Sequence, residues 1–262
     1  MTLAFAHELA KASGVVLKNY WGKLKNIQSK SNSYDLVTEA DQESEAIIIQ
    51  MIQDAYPSHQ ILSEESGLTE KKEAEYLWII DPLDGTTNYT HQYPWFAVSI
   101  ALYHEGSPIL GIVYNPIYEE LFEAEKGKGA KLNNQTIQVS KTETLEKSLL
   151  ATGFAYNRMQ TKENNYQEFF HLTNRTQGVR RCGAASLDLA YVAAGRLDGY
   201  WERGLAPWDT AAGILLVQEA GGIVSSYENA PFDPYSGRIL SSNGKIHDPL
   251  HKQLMEASRL EN

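Results

Sequence analysis

The chain has 262 residues, 42% of them hydrophobic, enough to bury a sizeable core in one large unit or in two halves that share a cleft. With 23 basic against 33 acidic residues its formal charge is -10 and no basic run offsets it, so neither nucleic acid nor an anionic membrane is expected as a partner. Cys182 is the sole cysteine, which excludes an internal disulfide and any multi-cysteine metal centre, and it reads as a small buried hydrophobe in a reducing compartment.

The first residues break their apolar pattern with Glu8 and Lys11, so neither a signal peptide nor a membrane span is expected and a cytoplasmic location follows. Phe5, Leu9, Ala12, Val16 and Tyr20 recur at helical spacing, as do Ile48, Met51, Ile52 and Ala55, predicting two amphipathic helices. Between them, residues 28–34 are rich in Lys, Ser and Asn and read as a mobile loop from which Lys30 can swing toward a site. Residues 35–38 return to strand character. Trp78, Ile79 and Ile80 then form a buried strand that runs into Asp81-Pro82-Leu83-Asp84-Gly85-Thr86-Thr87-Asn88. Pro82 has no N–H, so the strand is expected to stop at Asp81, with the turn bringing Asp84 round to face it. Gly85 clears the approach, and Thr86 and Thr87 open a helix whose free N–H groups favour an anion, so a cation site and a phosphate site would abut. The competing reading makes Asp84 a helix cap in an ordinary turn, and this segment alone does not separate the two.

Strands are predicted over 97–103, 109–114 and 120–125 as an antiparallel meander. The pattern then alternates, with strands near 149–153, 179–181, 197–201 and 223–225 and helices near 164–176, 186–194, 207–220 and 249–259. The expected organisation is an α+β half over 1–148 and an α/β half over 149–262, packed closely as one structural unit around a cleft.

Glu64, Asp81, Asp84 and Asp209 stand at strand ends or helix starts, and together they supply enough hard oxygens for two or three Mg²⁺ ions if they converge. Asp209, two residues after Pro207, is also well placed as a simple cap of an Ala-rich helix. Glu202, at the end of its strand, can accept bonds from substrate hydroxyls or form a surface ion pair. Asp41 can start its helix or orient the Thr86 hydroxyl and a water. Glu125-Lys126-Gly127-Lys128-Gly129 lacks the ending of a nucleotide-binding loop and reads as a hairpin turn; His247 and His251 lack the H-E-x-x-H arrangement and read as solvent-facing.

Taken together, these segments resemble the inositol monophosphatase family of Mg²⁺-dependent, lithium-sensitive phosphatases, in its bacterial form, over nearly the whole chain. The run Asp81 to Asn88 is similar to the family's first signature, and Trp208-Asp209-Thr210-Ala211-Ala212-Gly213, continuing to Glu219-Ala220-Gly221-Gly222, to its second. Glu64-Glu65-Ser66, Asp35-Leu36-Val37-Thr38 and Arg180-Arg181-Cys182-Gly183-Ala184-Ala185 match segments between them. The resemblance implies the layered αβαβα sugar-phosphatase fold shared with fructose-1,6-bisphosphatase, a homodimer, and hydrolysis of inositol 1-phosphate by direct water attack. It implies Glu64, Asp81 and the Leu83 carbonyl on a first metal, Asp81, Asp84 and Asp209 on a second, and Glu64 bordering a third. Thr86 with Asp41 would activate the water, and the Gly85 and Thr86 N–H groups would hold the phosphate. Ala185 and Glu202 would line the substrate pocket, and Lys30 would sit beside the metals. Two departures stand near the site: Ser63 where the family has Gly, and Ala184 where many bacterial relatives have Ser. NADP(H) phosphatase, fructose-1,6-bisphosphatase and 3'(2'),5'-bisphosphate nucleotidase activities are the alternatives within the superfamily. A binding protein of the transcription machinery is the alternative of a different class.

Overall fold

The structure, a computed structural model, describes residues 2–30, 35–69 and 74–259. Helix α1 (Leu3–Tyr20) is followed by β1 (Ile27–Ser29) and β2 (Leu36–Thr38), which pair antiparallel. Residues 28 and 29 of the predicted loop are thus strand, and its residues 31–34 lie outside the described residues. Helix α2 (Glu39–Ala55) begins well before its apolar repeat, because Thr38 caps it: the Thr38 hydroxyl accepts the Ala40 N–H while Asp41 accepts the Thr38 N–H at 2.8 Å.

An eight-stranded sheet comprises β3 (Gln60–Ser63), β4 (Gly67–Leu68), β5 (Tyr76–Asp84), β6 (Ala97–His104), β7 (Ser107–Asn115), β8 (Glu120–Glu125), β9 (Ala130–Leu132) and β10 (Gln135–Ile137). A short helix, α3 (Thr86–Thr90), joins β5 to β6. The order is β10-β9-β8-β7-β6-β5-β3-β4, antiparallel throughout except for β3 beside β5. The meander stands as predicted, and residues 125–129 form the hairpin turn.

β5 departs from expectation. It does not stop at Asp81: Asp81 pairs with Ser99 and Asp84 with Ala97, so three steps on β5 oppose two on β6. Pro82 removes one ladder bond, and the bulge absorbs the extra residue and lets the strand resume. In a regular strand, residues three apart point to opposite faces; the bulge brings both aspartates to the same one.

A second sheet has the order β12-β11-β13-β15-β14, with β11 (Leu149–Thr152) parallel to β12 (Gly178–Arg180) and β13 (Gly199–Arg203), and β15 (Arg238–Ser242) antiparallel to β13 and β14 (Ile223–Ser225). Its helices are α4 (Tyr166–Thr173), α5 (Ala185–Ala193), α6 (Pro207–Glu219) and α7 (His247–Arg259). Layering follows from where each helix is apolar. α1 and α2 cover one face of the large sheet, with Leu9, Ile48 and Ile52 against Ile80 and Ile100. α5 and α6 fill the space between sheets, where Leu187, Leu189 and Leu215 meet Ile79 and Val113 on one side and Tyr200 and Ile239 on the other. α6 is buried on every side from Thr210 to Val217, as a helix sandwiched between two sheets must be. Leu172, Leu250 and Leu254 close the outer face over Leu150, Trp201 and Leu240, completing the αβαβα sandwich.

Two expectations fail here. His247 is not solvent-facing but 3% exposed, because α7 starts two residues earlier than predicted and tucks its first turn beneath the sheet. Its ring nitrogens lie 2.9 Å from the Ser225 and Ser242 hydroxyls, and burial lowers its pKa. His251 is also partly buried on the inner face of that helix. Cys182 is half-buried in the loop before α5 rather than a core residue. Among the described residues no helix is long and apolar enough to cross a membrane.

Candidate active site

Elements from both sheets end at one corner. β3 and β5 run parallel with Ser63 opposite Ile80, so Glu64, just past the end of β3, comes out beside Asp81 of β5. The bulge adds Asp84, and α6 enters N-terminus first, with Pro207 at its first position and Asp209 in its first turn. Asp81, Asp84 and Asp209 each bring a carboxylate oxygen within 4.8 Å of the others. Asp209 also accepts the Ala206 N–H at 2.7 Å, so the capping and clustering readings hold for one side chain.

Such crowding is costly without cations. Burial drives Asp81 well above the ordinary carboxylate range and the charges of Glu64, Asp84 and Asp209 add to it; Asp209 is raised by burial and then by Asp84 and Glu64. Asp84 rises to about 6 through burial, held down from higher values by Ser186. Two buried hard-oxygen donors and a half-buried third that resist carrying charge together fit a small divalent cation such as Mg²⁺. Glu64 stands beside them and meets Lys30 Nζ at 2.9 Å, and Lys30 also bonds Glu65 at 2.5 Å. Burial raises Glu65 to about 7.

Thr86 Oγ1 lies 3.1 Å from both Asp41 Oδ1 and the Leu83 carbonyl. A hydroxyl has one proton, so it donates to one of these at a time, and donation to Asp41 leaves its lone pairs for an incoming water. Asp41 is fully buried, pinned by the Thr38 N–H and by its hydroxyl at 2.5 Å, and burial raises it to about 6. Gly85, just before α3, adopts φ 93°, and a Cβ there would sit 3.0 Å from the Trp95 carbonyl.

The cleft over these groups, about 240 Å³, is lined by Lys30, Glu64, Leu83, Gly85, Thr86 and the three aspartates among others. It continues into a hollow of about 100 Å³ between Ala185, Glu202, Phe154 and Arg181. Glu202 does not end its strand, since β13 runs on to Arg203. Neither is it in a surface ion pair: its Oε2 accepts the Tyr200 hydroxyl at 2.6 Å, burial raises it to about 7, and its carboxylate fills the space where Gly153 lacks a side chain. All the predicted site residues therefore gather around this cleft, with Asp41 behind Thr86. Tyr156, Tyr200 and Ser186 were not foreseen. Tyr200 left a signal, being two residues from Glu202 on one strand and so on its face.

Buried carboxylates that call for cations, beside an open cleft at helix starts in a layered αβ fold, are the parts of a metal-dependent phosphatase. The chain belongs to the inositol monophosphatase family, whose model matches residues 1–259. It is 54% identical to an inositol-1-monophosphatase of Synechocystis sp. over 96% of this chain and 88% of that protein. It is 44% identical to the Nus factor SuhB of Pseudomonas aeruginosa over 95% of this chain and 93% of that one. Among solved structures, the inositol monophosphatase of Anabaena (Nostoc) sp. superposes with a TM-score of 0.89 at 52% identity, covering 97% of this chain and 95% of that one.

Proposed function

We propose that this phosphatase hydrolyses inositol 1-phosphate and related small phosphomonoesters by direct attack of water, using two to three Mg²⁺ ions. The observation that carries the proposal is the convergence of Asp81, Asp84 and Asp209 within 4.8 Å. Glu64, Asp81 and the Leu83 carbonyl would hold one ion, Asp81, Asp84 and Asp209 a second, and Glu64 would border a third beside Lys30. Bound Mg²⁺ supplies acidification of water and neutralisation of charge on the phosphoryl and leaving oxygens. Thr86, donating to Asp41, accepts from the incoming water and turns the water's free lone pair toward phosphorus. The N–H groups of Gly85 and Thr86 would hold phosphoryl oxygens, while Ala185 and Glu202 bound the alcohol, Glu202 accepting from its hydroxyls.

Phosphate release from inositol 1-phosphate, NADP(H), fructose 1,6-bisphosphate and a 3',5'-bisphosphate nucleotide, with and without Mg²⁺ and Li⁺, tests this reading. Inositol 1-phosphate should turn over fastest, only with Mg²⁺, and lithium should inhibit. No release from any ester would overturn hydrolysis, and a different best substrate would overturn the specificity. A trapped phosphoenzyme would overturn direct water attack. The likeness to the family and the single cysteine support a cytoplasmic homodimer, which sedimentation and fractionation would test. The 44% identity to a protein named Nus factor SuhB favours a second reading, binding to transcription machinery, tested by co-purification of polymerase or ribosomal proteins.

A further inference from the structure

Asp84 is held by more than its place on the bulge. Its Oδ2 accepts two hydrogen bonds from Ser186: the N–H at 2.7 Å and the side-chain hydroxyl at 2.5 Å. Ser186 is fully buried at the second position of α5, in direct contact with the end of β5. A single donor leaves an aspartate free to rotate about its last bond, whose preference is broad and two-fold. Two donors converging on one oxygen, with the Ala185 backbone N–H beside them, restrict that freedom while the carboxylate faces the cluster with Asp81 and Asp209. Both bonds come from a residue adjoining Ala185, which lines the hollow. One helix turn thus sets a carboxylate's orientation and a wall of the pocket together.

We propose that Ser186 is a positioning residue for metal binding: its hydroxyl fixes the Asp84 carboxylate so that one oxygen faces the cation. This rests on the reading of Asp84 as a metal ligand. A serine whose bond merely satisfied a buried hydroxyl would leave metal affinity alone, whereas a donor that orients a ligand typically changes it by about 10- to 100-fold.

Calorimetric titration of the metal-free protein with MgCl₂, repeated with Mn²⁺ by electron paramagnetic resonance, separates the possibilities. Ser186→Ala should weaken binding about tenfold. The Mg²⁺ concentration for half-maximal rate should rise, with the substrate KM at saturating Mg²⁺ unchanged. Ser186→Thr, which keeps the hydroxyl, should bind as wild type. In an Asp84→Asn background the Ser186→Ala effect should vanish, as two groups of one interaction require. If Ser186→Ala binds like wild type while Asp84→Asn is weakened, the positioning role is overturned and the metal reading stands. If Asp84→Asn also binds like wild type, the metal reading falls first. Should the alanine variant fail to fold, Ser186→Cys, close in volume with only a weak donor, takes its place under the same expectations.

Discussion

Thr86 and Asp209 show how much chemistry one side chain carries here. The Thr86 hydroxyl has two acceptors and one proton, and Asp41 is fixed so that it competes for that proton from a rigid position. Removing the hydroxyl should leave Mg²⁺ and substrate binding nearly intact and cut kcat by about 10²- to 10³-fold, with Thr86→Ser recovering most of it. Steady-state kinetics at saturating Mg²⁺ reads both. Asp209→Asn makes the opposite division. The amide oxygen can still cap the Ala206 N–H and one repelling charge is gone, so the metal-free variant should unfold at a urea midpoint no lower than wild type, while the lost charge weakens metal binding and sharply lowers turnover. Unaltered turnover at limiting Mg²⁺ would remove Asp209 from the site. The acidic residues were legible one by one because each sits at the end of an apolar run. Ser186 was not, since its contact with Asp84 spans 102 residues and nothing local distinguishes a serine that orients a ligand from one that starts a helix.

At the scale of elements, the site depends on irregularities in an otherwise regular frame. The β5 bulge aligns two aspartates, and the left-handed Gly85 lets the chain turn into α3 against the Trp95 and Gly183 carbonyls. Gly85→Ala should therefore cost about 1 to 3 kcal/mol of stability, read from urea midpoints, and lower activity beyond that loss because Thr86 shifts with the backbone. Regular periodicities and turn signals announced the meander, α1 and the alternating second part of the chain, and Pro207 announced α6, which is buried all round and has no apolar stripe. They could not announce the bulge, because Pro82 equally suits a strand that ends and a strand that kinks. Nor did they reveal β15, where Ile239 and Leu240 are too short an apolar run to stand out, or the early start of α7, which tertiary contacts of His247 with two serines secure.

For the whole molecule, the clustered carboxylates couple metal, pH and stability. Asp41 and Asp84 rise from 3.8 to about 6 and Glu202 from 4.5 to about 7 in the folded chain, chiefly through burial. Their folded pKa values exceed the unfolded ones, so between about pH 4 and 7 the folded state binds more protons, and the metal-free protein should grow more stable as pH falls from 8 toward 6. His247 acts in the opposite sense: its lowered pKa means that stability is lost as pH falls below about 6.5, but it is one group against several. Mg²⁺ reverses the carboxylate trend, because an ion that binds only the folded, ionised cluster stabilises it by about 2.7 kcal/mol at a hundred times its dissociation constant. Protons compete for the same oxygens. The difference in Tm between Mg²⁺-loaded and chelator-treated protein should consequently be widest near pH 8 and shrink toward pH 6. Asp209→Asn should narrow it at pH 8 by removing one of the repelling charges and one ligand together. A metal-free protein whose Tm falls steadily from pH 8 to 6, or a Tm difference independent of pH, would show that these carboxylates neither repel one another nor bind the ion.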